Sequence, residues 1–232
     1  MSTIHADPGT PLAPPPPVTA RPVPPVENRL LLRHIAWPAY RVIADAFTGV
    51  NVRIAYDRGT LEIMTKSGTH EMWKTLIGRL VEVLTEETEQ TVRNCGEMTC
   101  ERDDLERAIE PDECFYLTNE PRMRSKRSID LRVDPPPDLM VEIEVSRNVI
   151  SRLPIFAALG VPEIWCFDGE TVRFLNLAAN GVYVAVERSR YFPFLAPADI
   201  LNVLQRWGQT DDNSLVREFR QWIRQQRSGA GQ

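Results

Sequence analysis

Glu142 and Glu144 stand two residues apart in Leu139-Met140-Val141-Glu142-Ile143-Glu144-Val145-Ser146. The stretch alternates without a slip. Leu139, Val141, Ile143 and Val145 share one face of a strand, and Met140, Glu142, Glu144 and Ser146 share the other. A fully apolar face predicts a central strand. Two carboxylates on one side repel each other, and burial increases that cost. A divalent cation removes it, and hard oxygen ligands suit Mg²⁺ or Mn²⁺. A strand with one solvated polar face is the ordinary alternative. Asp112, stiffened by Pro111, stands just ahead of a second strand, Glu113 to Leu117. An aspartate at the start of one strand and a glutamate on its neighbour can share a metal. Such an ion lowers the pKa of a bound water and offsets charge building on a phosphate. Pro-Asp is also common turn chemistry, and Pro137-Asp138 reads as the lead-in to a strand.

Cations are placed where they could meet phosphate. Arg122, Arg124, Lys126 and Arg127 fall within six residues, between Asp112 and Glu142. Nucleic-acid contact and a solvated loop are equally good readings of them. Near the end of the chain Arg217, Arg220, Arg224 and Arg227 recur at spacings of three and four. They oppose an apolar stripe of Leu215, Phe219, Trp222 and Ile223, which suits docking on the domain or on a second subunit. The balance of 27 basic against 32 acidic residues argues against a protein that only coats nucleic acid. The four cysteines lack CxxC spacing, so reduced, buried thiols are expected rather than zinc. His70-Glu71-Met72-Trp73-Lys74 has lysine where the zinc-protease HExxH motif needs its second histidine. No run approaches the roughly 20 apolar residues of a membrane helix, and no secretory signal is apparent. A cytoplasmic protein is expected.

The elements that must position these residues follow from periodicity. Residues 1–27, with Pro14-Pro15-Pro16-Pro17, predict an extended, disordered tail. A short helix begins at Trp37-Pro38, and a hairpin pairs Val52–Tyr56 with Leu61–Met64 across Asp57-Arg58-Gly59. Thr69 reads as the N-cap of a long amphipathic helix from His70 to Glu87. Val92 to Thr99 suggests another strand. A helix over Ser151–Leu159, ended by Gly160, joins the Glu142 strand to the apolar strand Glu163–Phe167. Another hairpin (171–177 with 181–187) and helices near 197–206 and 214–227 complete the chain. A strand–helix–strand crossover beside hairpins predicts an α/β (α+β) fold with a central mixed sheet flanked by helices. The folded domain is expected over 28–210, with residues 211–232 as a basic amphipathic helix and tail.

From about Arg53 to Trp165 the chain resembles the Uma-two family of restriction-endonuclease type, in the PD-(D/E)XK superfamily. The resemblance rests on Tyr56-Asp57-Arg58-Gly59-Thr60-Leu61-Glu62-Ile63-Met64, His70-Glu71 and Glu110-Pro111-Asp112-Glu113-Cys114-Phe115-Tyr116. It continues in Pro136-Pro137-Asp138-Leu139-Met140-Val141-Glu142-Ile143 and Ala157-Ala158-Leu159-Gly160-Val161-Pro162-Glu163-Ile164-Trp165. It implies a restriction-endonuclease-like core over 28–210 and a Mg²⁺- or Mn²⁺-dependent endonuclease site acting on DNA. Asp112 and Glu142 then take the acidic motif positions, and the motif lysine falls on Glu144. That departure removes a group that would activate water, while a glutamate can add a metal ligand or a base. Arg152 or Lys74 could supply the missing cation, although an arginine does not serve as a base. Glu71 could add a further acidic ligand, or be an ordinary first-turn glutamate. A homodimer suits such a fold, because two sites can address two strands. The alternative is a catalytically degenerate nuclease fold that binds nucleic acid or acts in assembly.

Overall fold

A computed structural model describes residues 27–144 and 150–229. In chain order its elements are β1 (Arg29–Leu32), α1 (Trp37–Ala46), β2 (Val52–Asp57), β3 (Thr60–Thr65), α2 (Gly68–Glu87), β4 (Arg93–Asn94), β5 (Cys100–Arg102), β6 (Arg107–Ile109) and β7 (Glu113–Tyr116). There follow α3 (Glu120–Met123), β8 (Leu139–Ile143), α4 (Leu153–Leu159), β9 (Glu163–Phe167), β10 (Val172–Leu177), β11 (Tyr183–Val186), α5 (Pro197–Leu204) and α6 (Asp212–Gly229). The expected proline-rich tail lies outside the described residues, apart from Glu27.

The strands make two sheets. The larger, β11-β10-β9-β8-β7-β4, is the mixed sheet the crossover predicted: β8 and β9 run parallel through α4, and the other pairs are antiparallel. The second sheet, β1-β3-β2-β6-β5, is antiparallel throughout and was not foreseen. Only its β2–β3 hairpin carries clear alternation. β5 and β6 are three residues each, too short for a period to register, and the stretch predicted as Val92–Thr99 is a strand only at Arg93–Asn94.

Strand alternation sorts side chains onto the two faces of the mixed sheet. Phe115, Leu139, Val141, Ile143, Trp165 and Phe167 pack towards α2, α5 and α6. Cys114, Met140, Ile164 and Cys166 point the other way, against α4 and against Ala55, Cys100 and Ile109 of the second sheet. That sheet's far face buries Tyr56, Leu61 and Ile63 under Tyr40 of α1. β8 lies between β7 and β9 and is buried throughout, so the solvated-face alternative for it is excluded. Gly160 ends α4 in a left-handed conformation (φ 79°) that a residue with a Cβ adopts only under strain.

The cap of α2 differs from expectation. The side chain of Ser67, not Thr69, accepts the His70 N–H at 3.2 Å, and Thr69 lies inside the first turn. Ser67→Ala should therefore cost about 1 kcal/mol in urea denaturation, with Thr69→Ala much nearer neutral; equal losses would contradict this cap. The basic stripe of α6 is also internal in use. Leu215, Phe219 and Ile223 are buried in the main core, while Arg220 and Arg224 pair with Glu86 and Glu87 at the end of α2.

Candidate active site

Asp112 and Glu142 are brought together as the spacing predicted, by β7 and β8 side by side. The Asp112 N–H donates to the Val141 carbonyl at 3.2 Å, and Asp112 Oδ2 accepts the Ile143 N–H at 2.7 Å. Both carboxylates sit on the face turned towards the second sheet, and both are at most 1 % exposed.

Across that space reaches a residue no motif singled out. Arg53, on β2, projects from the same face as Ala55, and its guanidinium spans both carboxylates. Nη1 lies 2.9 Å from Asp112 Oδ1, and Nη2 lies 3.0 and 3.2 Å from the Glu142 oxygens. Nη2 also donates to the Glu110 carbonyl at 2.8 Å. Arg152, at the start of α4, meets Glu142 Oε2 at 3.1 Å. His70 Nε2 completes the cluster, 3.0 Å from Asp112 Oδ1 and 3.3 Å from Arg53 Nη1. The one sequence signal for Arg53 was its place in an apolar, alternating strand, on the face where a charge needs a partner.

These contacts set the protonation of the pair. Burial alone would raise the Asp112 pKa, but the Arg53 charge, His70 and the Ile143 N–H outweigh it and hold the carboxyl below its ordinary value. Burial dominates at Glu142 and raises its pKa, with Arg53 and Arg152 opposing and the Asp112 and Glu144 charges adding. Burial and the neighbouring Arg53 charge lower that of Arg152, against the pull of Glu142. Asp112 is thus the firmly ionised member, and Glu142 the one that protonates more readily.

The other predicted residues are placed differently. Glu144 follows the end of β8 and pairs with Arg173 at 3.2 Å, at the margin of the cluster. Val145 and Ser146, expected to extend that strand, lie outside the described residues. Glu71 is set apart from the pair by the imidazole: it lies 3.6 Å from His70 Nδ1 and 3.4 Å from Lys74. Lys74 pairs with Glu97 as well, so it supplies no cation to the centre. In the basic segment, Arg122 donates to the Val133 carbonyl, Arg124 pairs with Glu120, and Lys126 pairs with Asp134. Arg127 is exposed.

A divalent ion does not fit this centre as arranged. Asp112 Oδ2 and both Glu142 oxygens accept from a backbone N–H or a guanidinium, Asp112 Oδ1 lies 2.9 Å from Arg53 and 3.0 Å from His70 without a hydrogen bond to either, and two positive side chains balance two negative ones. Among the described residues no three His, Cys, Asp or Glu side chains converge as a metal site. The position where a shared cation would bridge the pair is filled by Arg53. Beside the centre, beyond Ile54 and Glu110, opens a cleft of about 900 Å³. Asp45, Glu97, Glu101, Asp103, Glu110 and Asp130 line it, against Arg41, Lys66 and Arg132. That excess of carboxylates repels a phosphate backbone.

The site is thus a Pro-Asp lead-in to one strand of a mixed α/β sheet and a buried glutamate on the next. The chain belongs to the Uma2 family, described as "Putative restriction endonuclease", whose model matches residues 37–207. Among solved structures it is similar to "a putative nuclease belonging to DUF820" from Anabaena variabilis ATCC 29413. That likeness has a TM-score of 0.40 at 14% identity, covering 60% of this chain and 83% of the other. No curated protein matches the chain. No helix among the described residues is long and apolar enough to cross a membrane.

Proposed function

We propose that this chain is a nucleic-acid-directed member of its family whose carboxylate centre is closed by arginine, and that the closed centre does not hydrolyse phosphodiester bonds. The observation that carries this reading is the Arg53 guanidinium, within 3.0 Å of both Asp112 and Glu142. A reaction at this pair needs an open position for water and phosphate. Here the pair is buried and its charge is already neutralised. The nucleic-acid part of the reading rests on the family description alone.

A second reading is the fuller expectation from the sequence: a cytoplasmic, Mg²⁺- or Mn²⁺-dependent endonuclease acting on DNA, working as a homodimer. The convergence of both carboxylates on one cation favours it, since the same convergence would serve a metal once Arg53 withdrew. One experiment separates the two. Supercoiled plasmid is incubated with the full chain and Mg²⁺ or Mn²⁺, beside Asp112→Ala and Glu142→Ala. The closed centre predicts no nicking by any of the three, and the family description adds the expectation of salt-sensitive DNA binding. Metal-dependent nicking that both variants abolish would establish the metal-dependent endonuclease of the second reading and overturn the first.

A further inference from the structure

We propose that Cys95 and Cys114 form a reversible disulfide that clamps the chain beside Asp112. The β4–β7 ladder pairs Arg93 with Tyr116 and Asn94 with Phe115, and the next pair in register is Cys95 with Cys114. The Cys95 N–H donates to the Cys114 carbonyl at 2.9 Å, and the Cys114 N–H donates to the Gly96 carbonyl at 3.1 Å. The ladder thus continues past β4 with a one-residue bulge at Cys95-Gly96. Facing residues of neighbouring antiparallel strands have Cα atoms roughly 4.5–5.5 Å apart, within the ~4.4–6.8 Å that a disulfide spans, and the bulge bends the strand locally at Cys95. Both thiols are free, and Cys95 packs against the same apolar cluster that holds Cys114.

The two partners differ in access. Cys114 is fully buried, whereas Cys95 is half-buried and within reach of a small oxidant. The Cys114 hydrogen bond and the Arg93 charge outweigh burial and lower the Cys95 pKa to about 7, so a large share is thiolate near neutrality. With hydrogen peroxide as oxidant, the Cys95 thiolate attacks one peroxide oxygen, the O–O bond breaks, and a sulfenic acid and hydroxide result. The Cys114 thiol then attacks that sulfur, the S–O bond breaks, and hydroxide leaves. The proton that Cys95 lost on ionising and the proton of Cys114 convert the two hydroxides to water. The pair loses two electrons and the peroxide gains them. Cys100 shares the same apolar cluster, but its Sγ is directed to the Met98 carbonyl at 3.5 Å.

Position gives the bond its consequence. The chain leaves the mixed sheet at Cys95, forms the β5–β6 hairpin of the second sheet, and returns at Cys114. A disulfide there staples the neck of that excursion, two residues from Asp112, whichever reading of the centre holds. The test treats the full chain with hydrogen peroxide at neutral pH, alkylates it, and maps its peptides without reduction. A near-stoichiometric Cys95–Cys114 cross-link is expected, reversed by dithiothreitol, retained in Cys100→Ser and absent in Cys95→Ser. Thiols that stay free would overturn the proposal, and so would a link to Cys100 or Cys166, or Cys95 oxidised past the sulfenic stage with no partner. Cys95 is only partly buried, so Cys95→Ser avoids the burial that would confound a Cys114 variant.

Discussion

Arg53→Met is expected to destabilise the chain by about 3–5 kcal/mol, because it leaves two buried carboxylates with one guanidinium between them. Arg53 is 2% exposed and Asp112 is fully buried, so water cannot replace the lost partner. The effect extends beyond one ion pair. Asp112 Oδ2 holds the Ile143 N–H, so a rearranged Asp112 disturbs the β7–β8 junction itself. The double variant Arg53→Met, Glu142→Met removes one charge of each sign and leaves Asp112 and Arg152 as opposite charges that attract each other without a direct ion pair, with Asp112 still beside His70. It should be less destabilised than Arg53→Met alone, since a charge-balanced pair is replaced by apolar groups of comparable length. Urea denaturation at pH 7 measures both. A loss below about 1 kcal/mol for the single variant, or a double variant that simply adds the two losses, would show that the bridge does not organise the centre.

The second large effect lies on the opposite face of the same strand. Glu113 points towards α2, where a Cβ added at Gly78 would sit 3.6 Å from its carboxyl, and its Oε2 is buried without a hydrogen bond. Burial pushes its pKa up from 4.5 to about 7; Lys74 and Asn94 oppose the rise, and the Glu97 and Glu82 charges add to it. The sign follows from the raised folded value. The folded state holds the proton more tightly, so Glu113 favours folding below the ordinary carboxyl range and loses that advantage as pH rises through 7. Between pH 5 and pH 8 its contribution should fall by roughly 2.5 kcal/mol. Glu113→Gln keeps the shape and removes the charge. It should leave stability at pH 5 almost unchanged and raise it at pH 8. Denaturation curves at the two pH values, for the chain and the variant, isolate this group from the rest. A variant whose pH dependence runs parallel to that of the parent chain would refute the assignment.

Local patterning made much of the mixed sheet legible. The unbroken alternation from Leu139 marked β8 as central, Gly160 ended α4, and β8–α4–β9 had the length of a parallel crossover. The juxtaposition of Asp112 and Glu142 was legible too, because a Pro-Asp ahead of one strand and an alternating glutamate on its neighbour fall at the same level once the strands pair. The limits of that reading were equally physical. Ser67 and Thr69 are both good caps, and only the backbone path chose between them. The cations at 122–127 formed a convincing cluster in one dimension. Their partners Glu120, Asp134 and the Val133 carbonyl became visible only when the segment folded back on itself.

Arg53 marks the boundary between the two kinds of information. By itself the sequence determined that two acidic groups would meet on the inner strands of a mixed sheet, and that their charge would need an answer. Strand period and pairing are local rules, and they carry that far. Which cation answers was decided by the tertiary structure. The second sheet is built from strands too short or too distant in sequence to announce themselves, and it lays its inward face against β8. That packing places a guanidinium from β2, 89 residues before Glu142, where a metal was expected. No spacing rule reports a contact between faces of different sheets.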